Sequence, residues 1–207
     1  IQEKNHSKID TKKNIFSVDL QGSLFKGNGS LKVNKLPLNL VNLFINDPKD
    51  FKGNLDINLN YDLDRKRFSS LIKSNDTSID GHEINLDKGQ IIFTEDIFDI
   101  DLALLLNKYP VPITLVGFVP LNKNNQLDLR LNGNGQFLEL IDILSDKDFY
   151  FNNGKANLRL LIQGNIRKPI ANGFLVLSNA EVELFSSNFS DVNGTLLFDF
   201  DQLEIKD

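Results

Sequence analysis

The stretch at residues 54–64, NLDINLNYDLD, alternates apolar and polar residues without a break. The apolar positions are Leu55, Ile57, Leu59, Tyr61 and Leu63. In an extended chain, side chains at every second residue lie on one face, so the pattern predicts a strand with one buried face. Burying each such side chain is worth about 1.5–3 kcal/mol. Whatever covers this face therefore decides what the chain does.

The same alternation recurs along most of the sequence and predicts an all-β chain of about a dozen antiparallel strands. Two segments have helical spacing instead, at Leu38, Val41 and Ile45 and at Phe137, Ile141 and Leu144. Two short helices cannot cover so many strands. The predicted apolar lining consists of Phe16, Val18, Leu20, Leu55, Ile57, Leu59, Tyr61, Leu63, Phe98, Ile100, Leu102, Leu104, Ile113, Leu115, Leu127, Leu129, Leu131, Leu158, Leu160, Ile162, Val182, Leu184, Leu196, Phe198 and Phe200.

Composition excludes several classes of protein. With 41% hydrophobic and 25% charged residues, a chain of 207 residues is expected to fold. A formal net charge of -5 argues against general nucleic-acid binding, and we interpret the densest basic cluster, residues 65–67, as a solvated turn. The chain has no Cys, which excludes disulfides and thiolate metal sites. No apolar run is long enough for a membrane-spanning helix.

Several landmarks recur in one order at a spacing of about 105 residues, which predicts a structural repeat. They pair Gly27-Asn28-Gly29 with Gly133-Asn134-Gly135, one helical segment with the other, Gly53 with Gly154, Leu71–Asn75 with Leu175–Asn179, and Gly89 with Gly194. The predicted organisation is lead-in strands at 1–26, one copy at 27–132 and an incomplete copy at 133–207. Because the second copy stops early and the chain contains no Met, we interpret it as one continuous segment of a longer protein.

Glycine and proline are the residues that most often interrupt strands, so they predict the structural turns of this chain. The turn residues predicted in this way are Gly27, Gly29, Gly53, Gly89, Gly133, Gly135, Gly154, Gly164, Pro169, Gly173 and Gly194. Asp80-Gly81 marks a further turn between alternating segments.

A sheet with one apolar face can fold into a sandwich, close into a barrel or curl around a bound molecule. A repeat favours the third arrangement, because an array lengthens by adding units that cover their neighbours' ends. We therefore predict an elongated, curled antiparallel sheet that forms a groove with an apolar floor.

The second copy carries turns and alternating strands that resemble the signature domain of the TamB family, the translocation and assembly module. The matching pattern is a strand ending at Gly164, then Pro169, an apolar residue, a small residue, Gly173, and a new strand that reaches Ala180. Residues 194–198, GTLLF, are similar to the glycine-led strand that closes each family unit. The first copy departs from the pattern, since it has Asp64-Arg65-Lys66-Arg67 and no proline at the corresponding place.

The resemblance covers most of residues 17–207 and extends to AsmA-like and chloroplast envelope relatives. It implies a taco-shaped β-groove with an apolar interior, in a periplasmic protein that is anchored in the inner membrane outside this segment and reaches the outer membrane. It also implies transport of phospholipid and a role in outer-membrane protein assembly. The implied partners are phospholipid acyl chains, neighbouring repeats of the same chain and a β-barrel insertase of the outer membrane, with no nucleic acid and no cofactor.

The sequence offers little for catalysis or metal binding. His6 and His82 are far apart and match no zinc pattern. The Gly-x-Gly at 133–135 lacks the further glycine and the lysine of a nucleotide-binding loop. Four aspartates alternate with apolar residues: Asp99, Asp101, Asp199 and Asp201. We interpret them as solvent-facing residues of strands rather than as a calcium site. We predict a protein that is not an enzyme, with no catalytic residue and no metal site.

Two other functions stay open at the level of the sequence. One is a structural or adhesive β-repeat protein with a closed, dry core. The other is a carbohydrate-binding β-sandwich, which is disfavoured by the absence of Trp and the presence of only 3 Tyr.

Overall fold

A computed structural model describes residues 16–43, 48–106, 110–122, 125–135, 138, 149–184, 186–200 and 202–206. Its strands are β1 Ser17–Gly22, β2 Asn28–Pro37, β3 Phe51–Asp62, β4 Arg67–Ile79, β5 His82–Thr94, β6 Ile97–Leu106, β7 Ile113–Pro120, β8 Leu127–Gly135, β9 Phe149–Asn165, β10 Lys168–Leu184, β11 Ser187–Phe200 and β12 Gln202–Lys206. They form one 12-stranded sheet whose spatial order is the order of the sequence.

The sheet is an open antiparallel meander. Each strand pairs with the strands before and after it, and β1 and β12 form the two edges, so the described residues do not close into a barrel. The predicted all-β class with antiparallel strands is therefore confirmed. A short turn at Asp80-Gly81 joins β4 to β5, as predicted.

Part of the first predicted helical segment forms a 3-10 helix, Leu38–Leu43, directly after β2. This helix packs against β3. The second predicted helical segment, at 137–144, lies outside the described residues except for Leu138. Helix therefore contributes little to the described fold, as the alternating pattern predicts.

Two bulges of similar geometry interrupt the long strands. Gly53 on β3 has a φ of 90°, and a Cβ at this position would overlap the backbone at Asp76, whose own φ is 50°. On β9, Gly154 has a φ of 116°, and a Cβ there would lie 2.6 Å from the carbonyl oxygen of Asn179, whose φ is 48°. The pairing register shifts at both places. Only glycine tolerates this combination of positive φ and close backbone approach.

The prediction that glycine and proline mark turns is correct for Gly27, which lies between β1 and β2, and wrong for the others. The positions inside strands are Gly29, Gly53, Gly89, Gly133, Gly135, Gly154, Gly164, Pro169, Gly173 and Gly194. At Gly29, Gly53, Gly89, Gly154 and Gly173 an added Cβ would lie less than 3.0 Å from a backbone atom, so close backbone approach rather than reversal of the chain explains glycine at these five positions. At Gly173, for example, an added Cβ would overlap the Arg159 carbonyl.

The two copies of the first landmark of the predicted repeat lie at different places in the sheet. Gly27-Asn28-Gly29 lies at the start of β2, whereas Gly133-Asn134-Gly135 lies at the end of β8, next to the opposite border of the sheet. The bulges at Gly53 and Gly154 are the landmarks with matching local geometry.

Candidate functional site

One row of directly opposed residues crosses the sheet from β1 to β11. Directly opposed residues of antiparallel strands point to the same face. The row consists of Leu20, Leu31, Leu59, Ser70, Ile91, Ile100, Gly117, Leu129, Ile162, Ala171 and Phe200. We call this row the central row and the face to which it belongs the apolar face.

Further rows run parallel to the central row and bring together most of the predicted lining residues. A second row contains Val18, Ile57, Leu102, Leu115, Leu131, Leu160 and Phe198, and a third contains Leu55, Leu104, Ile113, Leu158 and Leu196. Tyr61, Phe98 and Leu127 lie on the other side of the central row. Phe16 and Leu63 lie just outside β1 and β3, and Val182 and Leu184 lie at the far end of β10.

Sequence reasoning missed apolar residues on β2, β4 and β5. Pairing places them on the same face: Leu31, Val33, Phe68, Ile72, Ile91 and Phe93. On β2 the alternation of Leu31 and Val33 with lysine and serine was a usable signal. On β5 the consecutive apolar residues Ile91, Ile92 and Phe93 leave the face undecided until the pairing is known.

Most of the apolar face is only partly buried. In the central row, Leu20, Leu59, Ile100, Leu129 and Ile162 all keep part of their surface exposed, although most of them lie on interior strands of the sheet. In a closed sandwich, such residues interdigitate with a facing sheet and lose nearly all exposure. The described part of the chain therefore leaves apolar surface uncovered along this face.

We call the two long borders of the sheet the front rim and the back rim. The front rim comprises the strand ends and short turns at Gly22–Asn28, Asp62–Arg67, Thr94–Ile97, Pro120–Leu127 and Asn165–Lys168, and the back rim comprises the opposite strand ends. The two rims bound the same apolar face.

Aromatic side chains line the apolar face next to the front rim. Tyr61, Phe68, Phe93 and Phe98 oppose one another on four successive strands. The ring centroids of Phe68 and Phe93 are 5.8 Å apart, and those of Phe93 and Phe98 are 4.9 Å apart. Each such pair contributes about 0.5–1.5 kcal/mol beyond area burial.

The Tyr61 ring lies at the β2 end of this aromatic row and covers Gly29 on β2. A Cβ at Gly29 would overlap the Tyr61 hydroxyl, so the absence of a side chain is what admits the ring. Tyr61 is only 6% exposed, and its hydroxyl has no hydrogen-bond partner among the described residues. The ring thus stabilises β2 through apolar contact.

A buried cluster fills the apolar face near the back rim. Its members are Ile84, Leu106, Ile113, Leu138, Phe151, Ala156, Leu158 and Ala180. Leu138, from the connection between β8 and β9, is only 1% exposed. The apolar face is therefore a packed core at this end, where Leu138 packs onto it.

Serine and threonine side chains replace missing strand pairing between β4 and β5. The register of this pair is interrupted between Leu71 and Ser78. Within that gap the Ser74 Oγ accepts a hydrogen bond of 2.6 Å from the Leu86 N–H, and the Thr77 hydroxyl donates to the Ile84 carbonyl. These bonds satisfy backbone groups that the interrupted ladder leaves unpaired.

The opposite face of the sheet, which we call the polar face, carries charged and amide side chains together with exposed apolar residues such as Leu71, Val116 and Phe118. One carboxylate on it connects three strands. Asp56 on β3 accepts a hydrogen bond of 2.8 Å from the Lys35 backbone N–H and another of 2.8 Å from the Asn75 amide. The Lys35 N–H bond, followed by the Asn75 bond, lowers the pKa of Asp56 from its ordinary value of 3.8, because both favour the charged form.

The described residues contain no cluster of three or more His, Asp or Glu suited to a metal ion. Nor does the described part include a helix whose length and apolar content would let it cross a bilayer. Compared with known proteins, the chain matches no protein-family model, no curated protein and no solved structure. The functional argument therefore depends on the apolar face itself.

Proposed function

We propose that the apolar face binds the acyl chains of phospholipids, and that the chain is a segment of a TamB-like periplasmic bridge between the inner and outer membranes. The observation that supports this most is the central row, which runs from β1 to β11 and keeps its interior leucine and isoleucine side chains partly exposed. A dry β-repeat protein would cover such a row.

The energetics of the face suit an acyl chain. Each CH2 group that leaves water for an apolar surface gains about 0.8 kcal/mol. A lining of Leu, Ile, Val and Phe offers this gain at many similar positions, so a chain can move along the face without escaping from one deep pocket. The polar head group stays in water, and no chemical step is required.

The proposed shape is a taco-like groove. Large open sheets twist and curl, and curling toward the apolar face would bring the front and back rims closer together around a guest. Leu138 and the 3-10 helix at Leu38–Leu43 both follow strands that end at the back rim. They would then close one side of the groove.

The proposed repeat has support from the two bulges. Gly53 with Asp76 and Gly154 with Asn179 use the same pairing of a positive-φ glycine with a positive-φ Asp or Asn on the next strand. Further copies of this unit would continue the groove. The outer-membrane assembly role, the β-barrel insertase partner and the periplasmic location rest on the resemblance of the turns and alternating strands to the TamB family.

Photo-crosslinking tests the proposal directly. A photoreactive residue at Leu59, Leu129 or Leu160 should capture phospholipid in cells, whereas one at Asn58 or Asp128 on the polar face should not. Equal capture at both sets would count against an acyl-chain groove. Native mass spectrometry of the purified chain separates the closed-core alternative, which predicts no co-purifying lipid.

A further inference from the structure

Three turns of the front rim carry exposed apolar side chains. Leu24 and Phe25 lie in the turn between β1 and β2 and are 61% and 94% exposed. Leu121, in the turn between β7 and β8, is 54% exposed, and Ile166, between β9 and β10, is 41% exposed. We call these four residues the front-rim tips. Since all four lie along one border of the sheet, they form a row rather than scattered surface positions.

Hydrogen bonds hold the backbone of each of these turns and leave the tips outside. The Gly27 carbonyl accepts a hydrogen bond of 2.9 Å from the Leu63 N–H, which ties the β1–β2 turn to the next turn of the rim. The Leu121 N–H donates to a carbonyl of the neighbouring β5–β6 turn at 2.7 Å. In the β9–β10 turn, the Asn165 side chain accepts a hydrogen bond of 2.9 Å from the Arg167 N–H. The exposure of the tips is therefore a consequence of how these turns are folded.

A basic residue stands beside the tips at both ends of the row. Lys26 directly follows Phe25, and Arg167 directly follows Ile166. Neither cation forms an ion pair with another described residue. The β5–β6 turn between them carries Glu95-Asp96, so the turns on either side of it are the ones suited to an anionic partner.

The spacing of the tips indicates a long, flat partner. The β1–β2 and β9–β10 turns are eight strand spacings apart, which is about 38 Å along the rim. No single lipid or other small molecule contacts both ends of such a row. A bilayer surface extends far enough, and it accepts apolar side chains between its head groups while basic groups stay among the phosphates.

We infer that the front rim docks on the surface of an anionic phospholipid bilayer, with the front-rim tips inserted among the head groups and with Lys26 and Arg167 beside the phosphates. The inference goes beyond the proposed function and can be tested without it. Within the proposed bridge, this segment would lie along one membrane, because the rim runs in the direction in which further repeats would be added. Since the front rim borders the apolar face, an acyl chain that leaves the bilayer reaches that face at the rim.

Sedimentation with vesicles tests the docking. The full chain and its variants are mixed with vesicles of phosphatidylcholine, either alone or with an equal part of phosphatidylglycerol. The tip variant is Leu24→Ser/Phe25→Ser. Its matched control, Leu43→Ser/Phe189→Ser, removes the same residue types from exposed positions near the back rim.

A second pair of variants tests the charges. Lys26→Gln/Arg167→Gln removes the two basic neighbours of the tips. Lys73→Gln/Lys155→Gln removes two exposed charges from the polar face. Because both changes lower the net charge equally, a difference between them reports the position of the charges and not their number.

We expect the unmodified chain and both controls to bind the mixed vesicles equally well. The tip variant should bind at least about tenfold more weakly, because two large apolar side chains no longer leave water. The charge variant should lose about fivefold on the mixed vesicles and nothing on phosphatidylcholine alone. High salt should reduce its difference from the unmodified chain. Unchanged circular dichroism spectra show that the variants fold.

An environment-sensitive dye reports which residues enter the bilayer. Because the chain has no Cys, Phe25→Cys, Ile166→Cys and Leu43→Cys each carry one dye. The emission of the dye at 25 and at 166 should shift to shorter wavelength on the mixed vesicles, whereas the emission at 43 should not change.

Several results would overturn the inference: no sedimentation of the unmodified chain with the mixed vesicles, equal losses in the tip variant and its control, or an equal shift of the dye at 43 and at 25. If short-chain phosphatidylglycerol below its micellar concentration shifts the dye at 25 as vesicles do, the tips belong to the guest site and not to a membrane contact. Lipid capture at Leu59 and Leu129 depends on none of these outcomes. Failure of the docking and failure of the acyl-chain groove are therefore distinguishable.

Discussion

The back-rim end and the central row of the apolar face begin from the same alternating sequence but differ in burial. At the back rim, Leu138 packs onto the face and is 1% exposed, and Phe151 beside it is 5% exposed. Along the central row, leucines of the same pattern stay partly exposed, whereas Tyr61 and Leu127 beside the front rim are buried. The alternation builds the face, but Leu138, which lies outside the strands, helps to make one part of it core.

The difference separates two roles for chemically identical side chains. At the back rim, a leucine contributes to folding stability because protein atoms surround it. In the central row, a leucine keeps surface that a guest can cover. Stability and binding should therefore respond to substitutions at different places along one strand, and the predictions below test this division.

The largest expected effect comes from Leu138. Leu138→Ala should lower the free energy of unfolding by about 3 kcal/mol, because it leaves a cavity in the buried cluster. Leu129→Ala, the same change in the central row, should cost only about 1 kcal/mol, because the side chain is partly exposed. Urea unfolding followed by circular dichroism measures both. Equal losses would show that the central row is packed as tightly as the back rim.

A smaller effect is expected from glycines at the two ends. Gly154→Ala at the back-rim bulge should destabilise by about 2 kcal/mol, because the residue has a φ of 116° and a Cβ there meets the backbone of β10. Gly27→Ala in the front-rim turn should cost only about 1 kcal/mol, since its φ is 73° and the space around it is open. Thermal unfolding of the two variants compares them, and a larger loss at Gly27 would contradict the bulge assignment.

The smallest effect concerns pH. The pKa of Asp56 is lowered in the folded chain, so its charged form stabilises the fold above the ordinary value of 3.8, and this contribution disappears as the pH falls through the folded-state pKa. Asp56→Asn should therefore destabilise at neutral pH by less than about 1 kcal/mol, because the site is exposed. The difference from the unmodified chain should shrink toward acidic pH.

Urea midpoints at a series of pH values measure this difference. Asp19→Asn, at an exposed carboxylate on the same polar face, is the control. A constant difference between Asp56→Asn and the unmodified chain over the whole pH range would show that the bonds to Lys35 and Asn75 do not depend on the charge of Asp56.

The sequence predicts the face of a strand well where a single phase of alternation persists. On β3 and β6, Leu55 to Tyr61 and Phe98 to Leu104 keep one phase, and the structure places them on one face. On β4 the same face carries Phe68, Ser70, Ile72 and Ser74. Two of these four positions are polar, so hydrophobic alternation does not mark the strand's face. Those serines bond to the backbone of β5, which no hydrophobic pattern records.

Glycine was harder to interpret than alternation. A glycine inside an alternating run indicates either a turn or a bulge, and only the partner strand decides between them. At Gly53 and Gly154 the deciding contacts are with Asp76 and Asn179, each more than 20 residues away. The packing of Leu138 on the back-rim cluster is likewise a long-range contact, so local pattern could not separate the buried cluster from the partly exposed central row.

The most direct test of the open face uses the absence of cysteine from the chain, since each introduced thiol is then the only one. Leu129→Cys places it in the central row, Arg130→Cys on the polar face and Leu158→Cys in the buried cluster. Without lipid, the thiols at 129 and 130 should both react readily with a maleimide, and the thiol at 158 should react slowly. Phospholipid should protect 129 and leave 130 unchanged. A thiol at 129 that is as unreactive as the one at 158 without lipid, or that lipid does not protect, would contradict the account.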